Sequence, residues 1–298
     1  MTRRGWFLFV ALCLVWGLPY LLIKVAVRDL TPASLVFLRT SIGALVLLPI
    51  VLARGNLRRV LPRWRAVALF TVVEIAVPWF LLSDAERRLT SSLAGLLVAS
   101  VPLAGALLAR ATGAPEPLGG RRMAGLFLGL VGVVALLGLD VGRGDLGAVG
   151  EMVVVVIGYA VGPLIVSRAL RDVPALEVVA LSLALCAVAY APAGVAQLPP
   201  ALPPASGIAA VAVLGLVCTA LAFVLFFGLI GEVGPVRATV VAYVNPAVAV
   251  AAGVAILGEP FTAGTALGFV LILAGSWLAT GARAAEPTPG LAEPAGSR

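Results

Sequence analysis

Charge-poor stretches about twenty residues long, the length of helix that crosses a bilayer core of about 30 Å, recur along this chain from Trp6 nearly to Arg283. Ten of them can be marked out: 6–27, 33–53, 66–83, 90–109, 123–139, 148–167, 175–195, 207–231, 238–257 and 264–281. They are continuous runs of Leu, Ala, Val and Gly without the period-two alternation of an outer-membrane strand. Helices satisfy their own backbone groups in lipid, so the pattern predicts an all-α integral membrane protein of ten transmembrane helices. Hydrophobic residues make up 61% of the 298 and charged residues only 12%, which excludes a water-soluble domain.

The net charge of +7 does not indicate a nucleic-acid partner, because the basic residues are scattered over short loops between the stretches. If the N-terminus is cytoplasmic, 15 of the 21 Lys and Arg fall on the cytoplasmic side. The opposite face holds only Arg28, Arg87, Arg88 and Arg143, and Lys24 and Arg39 lie at or within the ends of stretches. The asymmetry predicts a multi-pass inner-membrane protein with both termini in the cytoplasm. The opening Thr2-Arg3-Arg4 and the apolar run behind it echo an export signal, but that run has a counterpart deep in the second half, which a cleaved signal would not have.

The chain reads as a duplication. A shift of 142 to 144 residues lays Pro19 on Pro163, Pro32 on Pro174, Pro49 on Pro192, Pro102 on Pro246 and Pro117 on Pro260. With 21 Pro in the chain, each of the eight in the first half would find such a partner by chance about one time in five. Trp16 falls on Tyr159, Glu116 on Glu259, Gly125 on Gly268 and Gly132 on Gly275 by the same shift. Residues 6–139 and 145–282 are thus expected to be two five-helix repeats, with a disordered cytoplasmic tail over 283–298. Five spans is an odd number, so the second repeat enters the membrane from the other side. Inverted repeats supply two packings of similar energy, one open to each face, as alternating access requires.

Several residues have the chemistry of a solute site. Glu74 is near the middle of its stretch, where a carboxylate costs about 3 kcal/mol to insert. It reads either as a proton-coupling or amine-binding group facing a wet cavity, or as a protonated Glu bonded to a neighbouring helix. Pro78, one turn on, frees carbonyls beside Trp79, or simply kinks the helix. Trp16, Tyr20 and Lys24 form one stripe at i, i+4 and i+8, which suits either a binding wall for an anionic solute with an apolar part, or an aromatic belt with a snorkelling Lys. Tyr159 shares a face with Glu151 near the outer end of the sixth stretch, beside Gly158, Gly162 and Pro163, and Glu151 suits a hydrated interfacial role. Arg39 either attracts an anion or snorkels outward.

Tyr243, Asn245 and Pro246 match the place of Ser100 and Pro102 in the first half, which predicts matched interruptions at a central site. Asn245 serves equally as interhelical glue. Pro19, Pro78, Pro102, Pro163 and Pro246 are the expected hinges. Gly125/Gly129 and Gly264/Gly268 have the spacing of close helix contacts and suit a homodimer.

Cys13, Cys186 and Cys218 are far apart with no metal-ligand spacing, and the chain has no His, so no metal, cofactor or disulfide is expected. Without His, paired carboxylates or a nucleophile elbow, an enzyme is disfavoured. No phosphate-binding Gly-rich run occurs, which favours a secondary carrier over an ATP-driven pump.

The segment from Arg237 to Gly275, RATVVAYVNPAVAVAAGVAILGEPFTAGTALGFVLILAG, resembles the closing part of an EamA repeat, the unit of the drug/metabolite transporter superfamily. Gly258-Glu259-Pro260, Gly268 and Gly275 carry the likeness, and Trp16-Gly17, Lys24, Pro32 and Arg39 are similar to the start of the family's first repeat. In the first half Gly113-Ala114-Pro115-Glu116-Pro117 departs from the usual pattern. The resemblance implies a ten-helix inverted-repeat carrier, commonly an exporter of amino acids, related metabolites or drugs. Its central cavity would be lined by the first four helices of each half, with the fifth and tenth peripheral. Its partners would be a small-molecule solute and the lipid bilayer.

Overall fold

A computed structural model of the chain describes residues 1–54, 59–111, 120–140, 145–234, 238 and 240–280. The segment Gly113 to Pro117, Arg58, Arg143, Arg237 and the tail after residue 280 lie outside the described residues.

Among the described residues the fold is helical, with no strand. The first repeat contains α1 (Arg3–Gly17), α2 (Pro19–Ala26), α3 (Pro32–Arg54), α4 (Trp64–Phe70), α5 (Val77–Ala85), α6 (Ser91–Val98), α7 (Val101–Ala111) and α8 (Gly120–Asp140). The second contains α9 (Leu146–Ala169), α10 (Ala175–Ala196), α11 (Ala205–Gly215), α12 (Ala222–Val233), α13 (Val241–Leu257) and α14 (Ala263–Thr280). Read through their short breaks, seven helical segments are long and apolar enough to cross a membrane. They are Arg3–Ala26, Pro32–Arg54, Leu61–Ala85, Ser91–Leu108, Leu146–Ala169, Ala175–Ala196 and Ala205–Val233; Met123–Ala135, Val241–Leu257 and Ala263–Leu278 are shorter apolar helices.

Local chemistry sets the ends. Thr2 caps α1 by accepting from Gly5 N at 3.0 Å, and Thr90 caps α6 by accepting from Leu93 N at 3.2 Å. Gly258 closes α13 with φ of +66°, a left-handed conformation that a side chain disfavours.

The interruptions differ from the sequence expectation. The first half does break at Leu18, before Pro19, and at Ala99–Ser100, before Pro102, but α9 runs through Pro163 and α13 through Pro246. Pro19 stands at the start of α2 after the break at Leu18, whereas Pro78, Pro163 and Pro246 each forgo one helical bond within a continuous helical segment. The matched interruption is a pair of π-turns, Thr71–Ala76 between α4 and α5 and Leu216–Leu221 between α11 and α12, displaced by 216 − 71 = 145 residues. Such turns widen the backbone ladder and recur at functional sites, and the first of them runs directly into Pro78.

The helix packing obeys the repeat. α3 packs on α10, α6 on α13 and α8 on α14, each pair mapping onto itself when the halves are exchanged. α5 on α9 maps onto α12 on α1, and α7 on α9 maps onto α13 on α1. Three apolar clusters fill the interior, and each draws side chains from both halves. The repeats are therefore interlocked rather than set side by side. Large apolar side chains such as Phe7, Leu45 and Phe127 cover the outside, which suits lipid as solvent. Gly129 meets Gly275 with backbone against backbone, so the Gly125/Gly129 face is covered by α14 of the same chain.

Contacts near the helix ends keep two sides apart. Arg4 meets Glu232, Arg63 meets Ala169 O, and Arg121 lies over Trp277. At the other side Lys24 meets Glu86 O, Arg88 meets Glu151, and Ser91 meets Glu259. Every one of these pairs joins positions that the arginine count assigns to a common face.

Candidate functional site

The centre of the bundle is built around Arg39, seven residues into α3 and only 6% exposed. Its Nε donates to Thr219 Oγ1 at 2.9 Å, and the Thr219 hydroxyl donates to Leu214 O at 2.8 Å, five residues back. That reach is available because Thr219 stands in the second π-turn. The guanidinium carbon lies 3.7 Å from the centre of the Trp79 ring, a cation–π contact in a dry setting worth about 2 kcal/mol. Tyr20 and Tyr159 are close enough to interact electrostatically with the guanidinium, and Tyr159 lies beside Trp79. Arg39, Trp79, Tyr20 and Tyr159, chosen from the sequence as separate candidates, are brought together here.

Glu74 is the fourth residue of the first π-turn, as Thr219 is of the second. Its carboxylate lies over Gly162 of α9, in the room that a Cβ there would take. Gly158, one turn earlier, admits Val73 O and the Pro78 ring in the same way. Glu74 Oε2 is buried and has no hydrogen-bond partner among the described residues. Ser182, which the repeat places where Arg39 stands (39 + 143 = 182), also has a buried hydroxyl without a described partner. Each half thus brings one paired group, Arg39 or Thr219, and one unpaired group, Glu74 or Ser182, to the centre.

The remaining candidates sit elsewhere. Trp16 packs edge-on to Phe223 at 6.0 Å and against Phe226 at 4.8 Å, in the apolar cluster of α1, α12 and α13. Lys24 donates to Glu86 O at 2.6 Å and Leu89 O at 2.7 Å, so its charge closes the carbonyl end of α5. The Tyr243 hydroxyl donates to Ser276 O on α14 at 3.4 Å. Asn245, its amide turned to donate, reaches Val241 O at 3.1 Å and Cys13 O at 3.3 Å, tying α13 to α1. Ala76 O, at the end of the first π-turn, accepts from the Tyr190 hydroxyl at 2.9 Å. Glu151 pairs with Arg88 at 2.6 Å, and Arg88 also holds Asp84 at 2.9 Å.

Sequence reasoning missed Thr219, Glu86, Ser182 and Tyr190. Glu86 is 0% exposed, neither carboxylate oxygen has a partner among the described residues, and burial pushes its carboxyl up. The only available signal was for Thr219, which a shift of 145 lays on Glu74. Glu259, the centre of the Gly-Glu-Pro motif, caps α6: its carboxylate accepts from Ser91 N at 2.7 Å, Ser92 N at 2.9 Å and Ser92 Oγ at 2.6 Å. Burial pushes this carboxyl up, but the bonds from Ser92 and Ser91 outweigh it and hold it below the usual range.

Two interlocked repeats around a buried polar centre in an apolar exterior have the architecture of a membrane transporter. The EamA-like transporter family model matches twice, over residues 3–138 and 147–281, and the chain belongs to that family. It is 31% identical over 257 residues to the uncharacterized inner membrane transporter YedA of Escherichia coli strain K12, an alignment covering 84% of this chain and 81% of that one. The YedA proteins of Escherichia coli O6:H1 and O157:H7 match to the same extent. A crystal structure described only as that of a protein superposes with a TM-score of 0.65 at 24% identity, covering 94% of this chain and 97% of that one, which shows the fold.

Proposed function

We propose that this protein is a secondary transporter that moves small metabolites such as amino acids or drug-like solutes out of the cell across the inner membrane. It crosses the membrane ten times, the three shorter apolar helices spanning with the seven long ones, and both termini are cytoplasmic. The observation that carries the reading is the exchange symmetry of the helix contacts: each principal contact of one half has its counterpart in the other. A bundle so built has a second packing of comparable energy, reached by giving each half the other's arrangement, and alternation between the two exposes a central solute to one face at a time. The solute binds between Arg39, Trp79, Tyr20 and Tyr159.

Glu74 is the proton-coupling group in this reading. Its support is the orphaned buried oxygen in a π-turn, flanked by Gly158 and Gly162, which let α9 approach and slide. The purified full-length chain reconstituted in liposomes should carry, down a gradient and saturably, solutes that accumulate in the medium of overexpressing cells. Liposomes that are no more permeable than protein-free ones to any of those solutes would overturn the proposal.

A further inference from the structure

We infer that the solute carries an anionic group, a carboxylate above all, and that the two Nη groups of Arg39 hold it. The inference rests on the proposed transport reading and adds the charge of the cargo. A guanidinium has five N–H donors and cannot shed its proton inside a protein. Of these, Nε alone is taken, by the neutral Thr219 hydroxyl, and no described residue accepts from the Nη groups. Nor does any described carboxylate form an ion pair with Arg39, the nearest being the buried Glu86, which interacts with it electrostatically without touching it.

Lys24 also enters the bundle, but two backbone carbonyls at 2.6 and 2.7 Å occupy it. Arg39 has instead the face of Trp79, which stabilises a cation yet leaves the forked edge open. The ring and the one hydroxyl acceptor are together of the size of the insertion cost of an Arg in a span, about 3 kcal/mol, but they leave every Nη donor without a partner among the described residues. The open fork matches the two oxygens of a carboxylate or of one edge of a phosphate. Trp79, Tyr20 and Tyr159 then give the body of the solute flat apolar surfaces. Lys24, Val27, Arg28, Glu86 and Arg87 line an opening at the end of the bundle closest to Arg39; Arg87 is paired with Asp84 at 3.3 Å and Lys24 is held by its two carbonyls, so Arg28 is the cation that favours anions at the mouth.

The test uses the full chain in nanodiscs and four probe pairs of equal shape: benzoate and benzamide, phenylacetate and phenylacetamide, phenylalanine and phenylalaninamide, succinate and succinamide. Binding is read from the shift of the unfolding midpoint with probe concentration, and phenyl phosphate distinguishes carboxylate from phosphate. Wild type should bind at least one acid about tenfold or more tightly than its amide, the loss expected when a charged hydrogen bond is removed. Arg39→Lys should weaken that acid about tenfold and leave the amide unchanged, and Arg39→Gln should abolish the preference. Equal binding of acid and amide, no acid bound at all, or a preference that survives Arg39→Gln overturns the inference. Should Arg39→Gln fail to fold, wild type and Arg39→Lys decide. Liposomes that carry phenylacetamide or phenethylamine and none of the acids would leave transport standing and remove the anion site.

Discussion

The carboxylate of Glu74 occupies the space above Gly162 that the Cβ of any other residue would fill. A helix of one half thereby seats its acidic group directly on the backbone of the other half's first helix. Gly162→Ala should force the two apart and lower stability by about 1–3 kcal/mol, as overpacking a close contact does. Adding Glu74→Ala should return most of that loss, since the new methyl then has room. Thermal unfolding in detergent checks both, and a Gly162→Ala protein as stable as wild type, or a double variant no better than the single one, would show that the two groups do not compete for this space.

A carboxylate oxygen buried without a partner at this depth is costly unless it has a use. Glu74→Gln should insert and fold as wild type, because the amide is isosteric, and should lose the dependence of flux on a pH gradient. Flux in liposomes with an imposed gradient reads this directly. A variant that responds to the gradient as wild type does would remove Glu74 from the coupling step and leave the solute site untouched.

The helical architecture was legible because apolar length and arginine position are sequence quantities, and the repeat because proline and glycine recur at a fixed shift. Helix rotation was not. Trp16 and Tyr20 share one stripe in sequence, yet a break at Leu18 separates them, and Trp16 turns to Phe226 while Tyr20 turns to the centre. Lys24 chose backbone carbonyls, which no residue pattern announces. Glu86 stands beside Arg87 and Arg88 and reads as a wet loop, although the neighbouring helices bury it completely. The first π-turn runs into Pro78, an expected hinge, but nothing in the composition of Leu216–Leu221 announces the second.

Glu259 gives a pH dependence of definite sign. Its carboxyl is depressed in the folded protein relative to an unfolded value of about 4.3, so its stabilisation is present above that value and is lost as pH falls through the folded one. Removing the cap with Glu259→Ala should cost about 1–2 kcal/mol at neutral pH, in the range of an N-terminal cap that accepts from two backbone N–H groups. The difference between variant and wild type should shrink as the buffer is taken from pH 6 towards about pH 3. Unfolding midpoints across that range test it, and a gap that stays constant would mean the carboxylate is not what stabilises α6.

Two ion pairs occupy equivalent places at opposite ends of the bundle. Arg88 holds Glu151 at 2.6 Å, joining the end of α5 to the start of α9, and Arg4 meets Glu232 at 3.3 Å, joining the start of α1 to the end of α12. Exchange of the repeats carries one junction onto the other, and the Thr2 hydroxyl adds a bond to Glu232 at 2.8 Å. Both pairs are partly exposed, with side-chain exposures of 38% and 22% for the first and 74% and 20% for the second, so each contributes at most about 1 kcal/mol. That is too little to hold the fold, yet enough to shift a balanced two-state equilibrium up to about fivefold. Cys218 reports the shift, because it is buried next to Thr219 in the polar centre. In a background with Cys13 and Cys186 replaced by Ala, Glu151→Gln should raise the labelling rate of Cys218 by an impermeant maleimide added on the Arg88 side, and Glu232→Gln should raise it from the Arg4 side. If both neutral variants speed labelling from the same side, the two pairs do not close opposite ends of one pathway.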